Sequence, residues 1–237
     1  DDDFRVNAFE EKPLDPCVIP GRSTCFASMG NYIFSKNKLI DLLHKGKRMF
    51  EDLDFGKHII PMMLEAKDKV YAYSFFDNSI PGMEPHERGY WRDVGAIDTY
   101  YEANMDLISV TPQLNLYNYQ WPILTNQGNL PPAKTVFDSE GRRGQNLDSL
   151  VCGGCVTSGS TVRRSILGPS CRVNSYALVE DSILFENVEV GRHAKIKKAI
   201  IDEGICIPEG MEIGFDLEED RERGCLVTDS GIVVVTK

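Results

Sequence analysis

No stretch of the 237 residues approaches the roughly 20 consecutive apolar residues that a membrane span requires. No secretory-signal pattern opens the chain. Positive charge is scarce: 26 Lys and Arg stand against 36 Asp and Glu, a formal net charge of −10. Such a surface excludes a general binder of nucleic acid or of anionic membranes, but leaves room for a local basic pocket around a phosphorylated small molecule. Histidine is also sparse, and the four present (His44, His58, His86 and His193) do not cluster. There is no Gly-rich strand-to-helix turn near the start, which a nucleotide-binding α/β domain usually carries. There is no initiator Met either; the chain opens Asp-Asp-Asp-Phe-Arg-Val, so Asp1 is expected to be a cut end.

The composition that remains is ordinary for a globular protein, with 42% hydrophobic and 26% charged residues. Seven cysteines, an odd and scattered set without a secretory signal, point to reduced thiols in a cytoplasm. Cys152 and Cys155 form a CxxC. A zinc site would want a second pair or neighbouring histidines, so these two read as small residues packing in a tight coil.

The first hundred or so residues alternate strand-like and helix-like patterns, which favours a layered α/β domain. Strands are expected at 4–9, 31–34 and 70–76, the last from alternating Tyr71, Tyr73 and Phe75. Helices are expected at 36–47, with Leu39, Ile40 and Leu43 on one face; at 57–66, shortened or kinked by Pro61; and at 97–107, after the Gly95 turn. Pro112, Pro122, Pro131 and Pro132 punctuate residues 111–147, which read as a linker packed on its neighbours through Trp121, Ile123 and Leu124.

The second half repeats. Aliphatics fall at Val156, Val162, Leu167, Val173, Val179, Leu184, Val190, Ile196, Ile201, Ile207 and Ile213, and any three consecutive steps sum to 17. A small residue stands two positions earlier in most cases, as at Ser160, Ser165, Cys171, Ala177, Ser182, Ala194 and Ala199. A triangular coil explains this: each short face points one aliphatic inward and has room for only a small side chain near its corner. The pattern is that of a left-handed parallel β-helix with three stacked columns, the first being Val156, Val173, Val190 and Ile207. The lone His193 in these coils reads as a solvated corner residue, so the β-helix leans toward a scaffold.

Several residues in the first half could carry chemistry. Lys12, in Glu11-Lys12-Pro13, offers a compact positive charge for a phosphate, and Glu11 offers two acceptors for sugar hydroxyls. An exposed pair before a turn would look the same. Ser28-Met29-Gly30 could let a hydroxyl and backbone approach a ligand, or be a plain turn. Asp93, before Gly95 and a helix, is placed either to hold Mg²⁺ or to cap that helix. Asp54-Phe55-Gly56 reads as a cap and helix start.

The order of these pieces resembles one family. EKP, ASMGNYIF, DFGKHIIP, YWRDVG with a Tyr-x-x-x-Asn helix, WPI, LPPAK and then the hexapeptide coils are similar to the glucose-1-phosphate adenylyltransferases (ADP-glucose pyrophosphorylases) of bacterial glycogen synthesis. SLVCGGCV, RVNSYALVEDSIL and CIPEGMEIG resemble the ADP-glucose branch in particular. The resemblance implies the back half of a Rossmann-like nucleotidyltransferase domain over residues 1–110, the linker at 111–147 and the β-helix at 148–237. It implies ATP and glucose 1-phosphate as substrates, with Mg²⁺ as cofactor, in a cytoplasmic homotetramer with anionic allosteric effectors. Lys12 would bind the phosphate and, with Asp93, serve catalysis; Glu11 and Ser28 would contact the sugar; Asp93 would hold the metal; Trp91 would shape the pocket wall. Arg142, Arg143, Arg192, Lys195, Lys197 and Lys198 are the regulatory candidates, with solvated surface charge as the alternative. Where some members carry an arginine after Ile201-Asp202, this chain has Glu203. The family's Gly-rich loop is absent, so the 237-residue piece alone is expected to show no turnover. A non-catalytic scaffold homologue is the rival reading; an acyltransferase using His193 is a third.

Overall fold

The computed structural model describes residues 4–19, 21, 23–126 and 128–237, so the Asp1 reading lies outside the described residues. The chain divides into two compact units, 1–75 and 76–237.

In the first unit the helices form where the apolar spacing places them. Helix α1 spans Lys36–Met49, with Leu42 and Gly46 buried and Leu43 half-buried. Ile40, expected on that face, is exposed. The buried stripe runs 39, 42, 43 and 46, the i, i+3, i+4, i+7 rule of a helix one side of which meets a core. A π-helical turn, Phe55–Ile59, leads into helix α2, Ile60–Glu65. Pro61 sits in the first turn of α2, where a missing N–H costs nothing, so it marks a start rather than a kink. Ile59, Met62 and Met63 close a small core with Leu42, flanked by Phe34, Phe50, Leu53 and Val70.

The strands expected in this unit do not form ladders. Residues 4–9 and 70–76 meet in a single antiparallel bridge, Arg5 with Tyr71, supported by Val6 N–H to the Val70 carbonyl and Ala72 N–H to the Phe4 carbonyl. Residues 31–34 are extended without a ladder, and 75–77 wind into a 3₁₀ turn. Alternating side chains favour extension, but a strand exists only where a neighbour takes its hydrogen bonds.

The second unit is a parallel β-helix with helix α3 (Ile97–Asp106) packed on it. Its three sheets run along the coils. One joins Lys134–Val136, Val156–Ser158, Arg172–Val173, Glu189–Val190 and Cys206–Ile207. A second joins Gln145–Leu147, Thr161–Arg163, Leu178–Glu180, Lys195–Lys197 and Glu212–Ile213. The third joins Leu150–Val151, Ile166–Leu167, Ile183–Leu184, Ala199–Ile201 and Val233–Val235, with Leu226–Val227 antiparallel at its edge. Helix α4, Leu217–Glu222, lies between the last coil and that edge.

Register follows the 17-residue repeat. Val162, Val179, Ile196 and Ile213 stack, as do Leu167, Leu184 and Ile201. In the remaining column Val173, Val190 and Ile207 stack, but the first member is Thr157 rather than Val156. Thr157 is fully buried and its hydroxyl donates to Asn146 Oδ1 at 3.0 Å, so a polar residue fills the inward position at no hydrogen-bonding loss. The columns form one continuous core, each buried aliphatic contributing about 1.5–3 kcal/mol.

The small residues behave as the triangular coil requires. Ser165, Cys171, Ser182, Ala194 and Ala199 are buried. Ser182 N–H donates to Ser165 Oγ and Ala199 N–H to Ser182 Oγ, both at 3.1 Å, a serine ladder one coil apart. Cys155 and Cys171 are likewise buried, their thiols donating to the Gly168 and Phe185 carbonyls. Corners turn on left-handed backbone every coil: Gly159, Tyr176, His193 and Gly210 mark one corner; Asp148, Arg164, Asp181 and Lys198 mark another.

Lys134–Val136 and Gln145–Leu147 pair in parallel with Val156–Ser158 and Thr161–Arg163 of the following coil. The part of 111–147 expected to pack through Trp121, Ile123 and Leu124 leaves these three exposed, Leu124 at 91%. Residues 76–110 fall in the same compact unit as the β-helix.

Candidate functional site

Three segments of the first unit converge. Glu11 is half-buried, and its carboxylate lies so close to Gly56 that a Cβ built there would stand 2.1 Å from Oε2. Gly56 is thus the residue that leaves room for the carboxylate. Lys12 is exposed, with φ 48°, a left-handed conformation that turns the chain sharply at the Glu-Lys pair. Ser28 Oγ is 3.0 Å from Tyr32 Oη and also accepts from Gly30 N–H at 3.2 Å. Gly30 has φ 74°, which its side-chain-free backbone takes without strain.

Asp54–Gly56 joins the two sides. Tyr32 stacks on Phe55 with centroids 5.8 Å apart, and Phe34 lies 5.7 Å from Phe55. Asp54 caps the π-turn: its Oδ1 accepts from Lys57 N–H at 2.7 Å, and its N–H donates to His58 Nδ1 at 3.1 Å. That backbone bond from Lys57, more than any nearby charge, holds the Asp54 carboxyl below the usual range. Glu11 and Ser28 therefore flank one turn. Sequence reasoning gave Asp54-Phe55-Gly56 a cap alone and passed over Tyr32.

Asp93 belongs to the second unit, in the loop before α3. It is exposed, and its Oδ1 accepts from Gly95 N–H at 2.9 Å, while Ala96 is the helix N-cap. So it shapes the Gly turn and does not cap the helix directly. Among the described residues no group of three or more His, Cys, Asp or Glu is placed to hold a metal ion. A single exposed carboxylate can supply at most part of the shell of a divalent cation whose other ligands come from elsewhere. Trp91 is half-exposed beside it, and Arg92 donates to Gln113 Oε1 at 2.6 Å.

The six basic candidates are spread over the coils. The Arg142 guanidinium lies 3.4 Å over the Phe137 ring, and its Nε donates to Ser175 Oγ at 3.0 Å. Arg192 lies 5.4 Å over Tyr176, which stacks on His193 with centroids 4.8 Å apart. These share one corner of the β-helix. Arg143 is paired with Asp138 at 2.6 Å and Lys195 with Glu212 at 2.7 Å. Lys197 lies 6.0 Å over Phe215, and Lys198 donates to the Ser230 carbonyl. Glu203 is ion-paired with Lys237 at 3.0 Å. No described helix is long and apolar enough to cross a membrane.

Comparison with known proteins matches two successive parts of the chain. A nucleotidyl transferase family model matches residues 1–110, and a GlmU-like, C-terminal hexapeptide model matches residues 131–235. The chain is 72% identical over 237 residues to glucose-1-phosphate adenylyltransferase of Trichlorobacter lovleyi, covering all of this chain and 57% of that protein. It is 71% identical over 236 residues to the protein of the same name from Geobacter metallireducens, and 51% over 239 residues to that of Shewanella sp.. It thus spans 57% of the length of the first two of these relatives and 56% of the third. Over its whole length the chain is thus similar to glucose-1-phosphate adenylyltransferases, and its first 110 residues match the nucleotidyl transferase model.

Proposed function

We propose that this chain supplies the sugar-phosphate side of an enzyme that converts ATP and α-D-glucose 1-phosphate to ADP-glucose and diphosphate, feeding glycogen synthesis in the cytoplasm. The observation that carries the reading is the convergence of Glu11 and Ser28 on the Asp54–Gly56 turn, with Lys12 beside Glu11. In this reading Glu11 accepts from glucose hydroxyls, and the Ser28 hydroxyl, fixed by Tyr32, meets another. Lys12 neutralises the phosphate whose oxygen attacks the α-phosphorus of ATP in line. Phe55 and Tyr32 give the hexose an aromatic wall. Asp93 would hold Mg²⁺ with the nucleotide phosphates, where the cation offsets charge developing on the departing diphosphate. The Arg142 and Arg192 corner, together with Arg143, Lys195, Lys197 and Lys198, is the ground for anionic effectors, and the coils are the ground for a homotetramer.

The test is synthesis. The protein expressed from its complete reading frame, given ATP, glucose 1-phosphate and Mg²⁺, is expected to release ADP-glucose, read by chromatography. Absence of product across a series of divalent cations contradicts the reading and favours the scaffold alternative.

A further inference from the structure

Helix α3 begins four residues after Asp93, and its own sequence caps it poorly. The N-cap is Ala96, which has no side-chain oxygen to take an orphan N–H of the first turn; Thr99 Oγ1 reaches back, donating to the Ala96 carbonyl at 3.0 Å and accepting from Ala96 N–H at 3.4 Å. The first-turn N–H groups that Ala96 cannot take make such a start depend more on contacts from outside the helix. The C-terminal end of the β-helix supplies such contacts. Asp98, in the first turn of α3, accepts through Oδ1 from Thr228 Oγ1 at 3.3 Å and from Ser230 Oγ.

The receiving turn is itself fixed. Thr228 N–H donates to the Ile232 carbonyl at 3.0 Å, and Ile232 N–H returns to Thr228 Oγ1 at 3.1 Å. Gly231 takes φ 83°, and Lys198, from the neighbouring coil, donates to the Ser230 carbonyl. One turn further along α3, Tyr101 Oη donates to the Asp181 carbonyl at 2.5 Å, and Asp181 is gripped by Arg164 through two bonds of 2.7 and 2.8 Å. Between these points Ile97, Tyr100 and Met105 pack on Ile183, Ile200 and Ile232.

We propose that Asp98 is a positioning residue: held by Thr228 and Ser230, it fixes the first turn of α3, and through it the Gly95 turn that carries Asp93. The proposal rests on the role given to Asp93 above. It makes the far end of the β-helix a determinant of where that carboxylate stands, although Thr228 and Ser230 have no part in the chemistry.

The experiment replaces the hydroxyls and not the helix. Ser230→Ala and the double variant Thr228→Val/Ser230→Ala are made in the protein expressed from its complete reading frame, with Asp98→Asn as a third variant that keeps the shape and removes the charge. Amide exchange at Gly95, whose N–H is bonded to Asp93, is expected to speed up about tenfold, while exchange at Val179 and Ile196 in the coils stays as in the parent; kcat is expected to fall about tenfold with KM for glucose 1-phosphate unchanged. Gly95 exchange equal to the parent in all three variants overturns the proposal, as does faster exchange without a change in kcat. Should the parent protein form no ADP-glucose, the proposed reaction fails, and Gly95 exchange alone decides whether Asp98 fixes the turn.

Discussion

Gly56 is where a single missing side chain decides geometry. A methyl group there would stand 2.1 Å from the Glu11 carboxylate, which is the far end of a flexible side chain and can swing away. The fold need not pay for the change, but the candidate sugar contact would. Gly56→Ala is therefore expected to raise KM for glucose 1-phosphate about tenfold with a thermal midpoint within a few degrees of the parent, measured by initial rates and calorimetry. Glu11, Lys12, Ser28 and Asp93 are candidates by residue type, and the resemblance of the motif order supplies the roles proposed for them. Their supports could not be read from the sequence. That Tyr32 orients Ser28, and that Gly56 makes way for Glu11, depends on a stacking contact and a void, neither of which leaves a periodic trace. The Thr157-for-Val156 exchange was hidden for a similar reason: an aliphatic column is read from aliphatics, and a buried threonine whose hydroxyl finds Asn146 looks like surface.

At the scale of elements, α3 shows how a helix legible in sequence can still have a partner that is not. Its span follows from the apolar spacing and the Gly95 turn. Its attachment to the coils depends on Tyr101 and Asp181, 80 residues apart. Burial, and secondarily the nearby Asp181 charge, pushes the Tyr101 phenol up to about 12 from its ordinary 10. The folded state keeps that proton where the unfolded chain has lost it. The docked phenol therefore supports the fold fully below about pH 10, and its contribution is lost as pH rises toward 12. Chemical denaturation at a series of alkaline pH values is expected to show this loss between pH 10 and 12, and Tyr101→Phe is expected to flatten that part of the profile. The first-unit strands failed as readings for a related reason: alternation predicts extension, and extension becomes a ladder only when another segment supplies the hydrogen bonds.

For the whole molecule, the 17-residue repeat is the most readable feature, since each coil restates the same steric demand at three corners. The boundary was less readable. Within the Pro-rich stretch, Lys134–Val136 pairs with Val156–Ser158 without a repeat signature, because a coil's first strand needs no aliphatic pattern of its own when the next coil covers it. The net charge of −10 describes the bulk and conceals Lys12, on which the proposed chemistry turns. The most direct measurement is therefore the glucose 1-phosphate saturation curve of ADP-glucose synthesis by the protein expressed from its complete reading frame, parent against Lys12→Ala. Loss of a charged phosphate contact is expected to raise KM about a hundredfold with a much smaller change in kcat. An unchanged KM would contradict the site built on Glu11, Lys12 and Ser28.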